Sequence, residues 1–133
     1  MNSNLVMKYA AIILCLIGIT CLFIPKEILK AYNPTADGAQ GLIVQLLGAA
    51  FLGFAALDWA SRQSLLGGIY GRPVVSANQV HFVIGSFLTA KAVMSQPHNI
   101  VLWLILSVYA LFAIAFSVIL YGPPPKKETI PTT

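Results

Sequence analysis

One histidine in this sequence stands where it could do chemistry. His81 recurs with Asn78, Gly85, Thr89 and Ala92 at steps of three or four residues, which puts all five on one face of a helix. An imidazole gives and takes a proton near neutral pH. Inside a membrane span an ionisable group of this kind marks a functional position by default. Two readings stay open. The face relays a proton or holds a polar headgroup, or His81 lies shallow at an interface and bonds to Gln45, a serine or backbone groups.

The other ionisable residues offer less. Lys91 shares its face with Val80, Ile84 and Phe87, and its long stem can carry the ammonium to the far interface; the alternative is a buried lysine facing Asp58 or a ligand. Asp58 beside Trp59 reads as an end-of-span signal, or as a partner for Arg62 four residues on. The acids are Glu27, Asp37, Asp58 and Glu128, and no two are placed to share a reacting bond. There is no HExxH, no GxSxG and no phosphate loop. The Gly67-Gly68 and Gly71 run lacks the lysine and hydroxyl ending that cradles phosphates. Cys15 and Cys21 differ by roughly 240° around a helix, so they cannot pair within it, and no metal-ligand spacing occurs. Nothing here requires catalysis, a metal or a cofactor.

The elements that must position these residues follow from composition. In 133 residues, 58% are hydrophobic and 9% charged; soluble domains carry about 25% charged residues. The mean hydropathy is +0.82. A chain this size cannot hide so much apolar surface from water, whereas a lipid-facing exterior removes the difficulty. The net charge of +4 does not point to nucleic acid. The basic residues stand singly or in pairs beside apolar runs and form no stripe.

Four apolar runs are expected to be transmembrane helices, giving an all-α membrane four-helix bundle in one domain. The first covers about 5–24. Lys8 near its start fits a secretory leader loosely, but no A-x-A site follows, so the run is read as retained. Pro25 to Tyr32 reads as a short amphipathic stub with Ile28, Leu29 and Tyr32 on one face, lying on the membrane surface. The second span covers about 41–60, where Ala49, Gly53, Ala56 and Ala60 make a stripe of small residues suited to close helix packing in lipid, with Gln45 one turn earlier. Residues 61–77 read as a glycine-containing loop. The third span, about 78–96, is the most polar. The very short link at His98-Asn99 implies that it runs antiparallel to the fourth, about 100–121. The second and third spans are expected to make the contact where any function lies. Residues 122–133 read as a flexible tail.

With four spans, Lys8, Arg62, Arg72, Lys126 and Lys127 fall on one side and Lys26, Lys30 and Lys91 on the other. The positive-inside rule then places both termini in the cytoplasm of a cell inner membrane.

The first run ends in Ile24-Pro25, the amphipathic stretch follows, and the Gly/Ala-rich Leu47-Gly-Ala-Ala-Phe-Leu-Gly-Phe-Ala-Ala-Leu-Asp-Trp59 helix comes next. This layout resembles the small bacterial four-helix membrane proteins of the DoxX-like kind. The resemblance implies a four-helix fold and, for some relatives, association with quinone-linked oxidoreductases; no motif here carries that role. The expected function is a non-catalytic accessory or structural subunit of a membrane complex. Its partners would be the bilayer and another membrane protein or a second copy. The alternative is a small carrier or a lipid- or quinone-binding protein using the Asn78, His81, Thr89 and Gln45 face.

Overall fold

The computed structural model describes residues 3–32, 38–63 and 71–122, and among them it contains five helices and no strand. They are α1 (Ser3–Phe23), α2 (Pro25–Tyr32), α3 (Gly38–Ser61), α4 (Gly71–Ser95) and α5 (Ile100–Tyr121). The all-helical class agrees with the apolar runs. α1, α3 and α5 are long and apolar enough to cross a membrane. α4 has 25 residues, about 37 Å at 1.5 Å per residue, but Asn78, Gln79, His81, Ser86, Thr89 and Lys91 make it too polar to join those three on apolar character alone.

Local sequence explains most boundaries. Pro25 has no N–H to continue the α1 ladder. The backbone N–H of Ile24 still bonds Thr20 O at 3.0 Å, and that of Ile28 bonds Ile24 O at 3.2 Å, so α2 follows α1 almost without a break. α4 begins at Gly71 rather than near 78, so the loop expected over 61–77 is shorter. Gly71 and Pro73 fall in the first helical turn, where N–H groups have no intrahelical acceptor and proline costs little. Asn99 caps α5, its side chain accepting from Val101 N at 3.1 Å, and Trp103 Nε1 donates to Pro97 O at 3.0 Å. The link from Asn33 to Asp37, most of the second loop's glycines and the tail from Pro123 lie outside the described residues.

The chain divides into two compact units, Met1–Ser64 and Leu65–Thr133. In the first, α1 and α3 pack as an antiparallel pair joined through α2. α1 buries Met7, Ala10, Ala11, Leu14, Gly18 and Cys21, steps of mostly three and four that define one helical stripe. α3 buries Gly48, Phe51, Ala55 and Asp58. The backbones approach closely where Gly18 meets Gly48: a β-carbon on Gly18 would stand 2.9 Å from Gly48 O, and one on Gly48 would stand 2.8 Å from Gly18 O. Only glycine allows that crossing.

The second unit is an antiparallel pair of α4 and α5, as the short link at His98-Asn99 implied. Early residues of α4 meet late residues of α5. Phe82, fully buried, stacks on Phe112 and Phe116 with ring centroids 5.0 and 5.6 Å away and meets Tyr109 edge-on at 5.3 Å. Outside these seams, large apolar side chains such as Leu16, Leu46, Phe87, Leu104 and Leu111 are exposed along the long helices, a surface suited to hydrocarbon rather than water.

Candidate functional site: the polar seam of α4 and α5

Helical spacing brings His81, Phe82 and Gly85 to the α5 side of α4. Tyr109, two turns into α5, lies against them. Its hydroxyl is 3.5 Å from His81 Nε2, a long contact whose direction depends on the tautomer. The two ring centroids are 5.6 Å apart. Gly85 makes the room: a β-carbon there would overlap the Tyr109 ring edge at Cε1 and Cδ1. An imidazole and a phenol in this arrangement can exchange a proton or jointly hold a polar group.

Around them, several polar groups of α4 make hydrogen bonds inside the same unit. Gln79 Nε2 donates to Ser117 Oγ at 2.8 Å, and that hydroxyl donates on to Ala113 O at 2.7 Å. Ser86 and Thr89 hydroxyls donate to the carbonyls of Phe82 and Gly85, each at 2.7 Å. Asn78 is fully buried and its Nδ2 donates to Val74 O at 3.1 Å. Back-bonds of this kind satisfy a side chain without requiring a second polar helix. Gln79 Oε1 is buried and accepts no hydrogen bond among the described residues.

The structure therefore brings part of the predicted polar face together. His81 meets Tyr109, while Asn78 and Thr89 bond their own helix. Gln45 takes its place in the first unit, where Nε2 donates to Leu22 O at 3.3 Å. Lys91 is exposed. Among the described residues, no three His, Cys, Asp or Glu side chains gather as metal ligands. Cys15 and Cys21 are free thiols.

On α3 the structure adds a contact that the spacing of small residues did not single out. The small-residue stripe Ala49, Gly53, Ala56 and Ala60 is exposed and is not the face that meets α1. That face lies one residue round the helix, at Gly48, Phe51, Ala55 and Asp58, because the backbone contact needs glycine opposite glycine and Gly18 selects Gly48. Asp58 is fully buried on this face. Arg62 uses its guanidinium on Trp59 instead, lying 4.1 Å over the ring and donating to the Trp59 carbonyl.

Sequence reasoning passed over Tyr109, Gly18 and Gly48. The available signals were a phenol in the middle of an uncharged span and single glycines inside two apolar helices. Comparison of the chain with protein-family models, with curated proteins and with solved structures finds no match.

Proposed function

We propose that this protein is a four-span membrane protein that works as a non-catalytic accessory subunit, docking a partner helix along α3. Three spans are α1, α3 and α5. The fourth is α4, whose polar side chains are made tolerable in hydrocarbon by the bonds of Gln79, Ser86 and Thr89 within its own unit. Four spans put both termini on one side. Lys8, Arg62, Arg72, Lys126 and Lys127 against Lys26, Lys30 and Lys91 make that side the cytoplasm of an inner membrane. The likeness to DoxX-like proteins rests on this same layout.

The observation that carries the reading is the open stripe Ala49, Gly53, Ala56 and Ala60. Among the described residues, a β-carbon on Gly53 would meet nothing within 4 Å. Within the first unit no described helix covers this stripe, and small residues of this kind allow another backbone to approach closely; in lipid such packing is what drives association. In the polar seam, by contrast, Gln79, Ser86 and Thr89 already donate to groups of their own unit. A second reading, ligand binding at that seam, draws on the His81–Tyr109 contact.

Mild detergent extraction followed by native mass measurement tests the first reading. The protein is expected to leave the membrane with a partner protein or a second copy, and Gly53→Leu is expected to release it while expression is unchanged. A strict monomer with no co-purifying protein overturns it. Loss of a retained small molecule on His81→Ala, with such a monomer, supports the second reading instead.

A further inference from the structure

We propose that the groove between α2 and the first turns of α3 binds the phosphate headgroup of an anionic phospholipid. This rests on the reading that α1 and α3 cross the bilayer, which places α2 at the level of the headgroups.

The groove has a volume of about 310 Å³, and Lys26, Lys30, Leu29, Leu42, Gly41 and Gln45 are among the residues that line it. That volume falls at the lower end of sites that take small molecules, roughly 300–1,000 Å³, and is ample for a phosphoglycerol group. Lys26 and Lys30 are four residues apart, so both ammonium groups stand on the same side of α2. Glu27, the acid of α2, is exposed and does not line the groove. A lysine ammonium recognises a phosphate as a compact point charge.

The opposite wall leaves space. Among the described residues, β-carbons built on Gly38 and Gly41 would meet nothing within 4 Å, so the first turns of α3 present bare backbone to the groove. Gln45, tied by Nε2 to the Leu22 carbonyl of α1, fixes the floor. What selects a lipid over a soluble phosphate is the apolar part. Leu29 and Leu42 lie within the groove, and Leu46 continues the Leu42 side one turn down α3, 62% exposed. Positive charge at the mouth with an apolar track beneath it matches a phosphate ester joined to an acyl chain.

The test uses the full-length protein in nanodiscs holding equal phosphatidylglycerol and phosphatidylcholine, with retained lipid measured by native mass spectrometry. A cation near a membrane surface contributes about 1 kcal/mol, or about fivefold. The protein is expected to retain phosphatidylglycerol preferentially. Lys26→Gln with Lys30→Gln should remove that preference, by up to about thirtyfold. Gly41→Trp fills open space, keeps both lysines and should remove it equally. Lys91→Gln should leave it intact. Equal retention of the two lipids by the unaltered protein overturns the proposal, as does a preference that survives either groove variant. Glycerol phosphate in solution should not displace the lipid; full displacement overturns the lipid assignment in favour of a free anion. Alkaline carbonate extraction separates the two readings. A protein that washes off the membrane loses the spanning reading itself, whereas one that resists extraction without a lipid preference loses only this proposal.

Discussion

Gly48→Ala is the sharpest probe of how the first unit is held together. The added methyl would lie 2.8 Å from Gly18 O and 2.9 Å from Cys21 Cβ, against comfortable heavy-atom separations of about 3.5–4.0 Å. One neighbour is backbone and cannot rotate away, so α1 and α3 must part by on the order of 0.5–1 Å. That loosens contacts along the whole seam, and between helices in lipid those contacts are the main attraction. Overpacking of this kind costs about 1–3 kcal/mol. Alanine returns up to about 1 kcal/mol of helix propensity, leaving a net loss of up to about 2 kcal/mol. Gly53→Ala is the matched control. It makes the same chemical change five residues away, on the stripe that sequence pattern favoured, where a β-carbon meets nothing within 4 Å. It should be neutral or stabilising by up to about 1 kcal/mol. Unfolding of the micelle-bound protein on titration with dodecyl sulfate, followed by circular dichroism, measures both. Equal loss in the two variants, or a larger loss in Gly53→Ala, would refute the Gly18–Gly48 crossing.

Two further changes probe the second unit. Gly85→Ala drives a methyl into the Tyr109 ring and should cost about 1–3 kcal/mol; adding Tyr109→Leu should restore most of that loss in the same unfolding assay, and failure to rescue would place the strain elsewhere. A double-mutant cycle of Gln79→Ala and Ser117→Ala should give a coupling near 0.6 kcal/mol and below about 1.7, the range for hydrogen bonds between membrane helices; a coupling of zero would mean that the 2.8 Å bond contributes nothing to pairing.

Much of the fold is legible because it follows from local rules. The apolar runs, the break at Pro25 and the antiparallel turn at His98-Asn99 each depend on a few neighbouring residues, and the helices form where those residues direct. The start of α4 was harder to place. Gly71 and Pro73 read as loop residues by propensity, yet a first turn tolerates both because it has no hydrogen bond to lose. The candidate site was half legible. Spacing put Asn78, His81 and Thr89 on one face, but spacing within one helix says nothing about what another helix brings to it, and Tyr109 comes from 28 residues away along the chain.

The sequence by itself determined that this is an all-helical chain with membrane-capable spans, because composition and apolar run length are properties of each segment alone. The tertiary structure decided which residues matter between segments. A stripe of small residues and a single glycine look alike in sequence. Gly48 became the contact and Gly53 did not, because backbones can close to van der Waals distance only where both helices lack a β-carbon at the same height, and Gly18 supplies that height opposite Gly48.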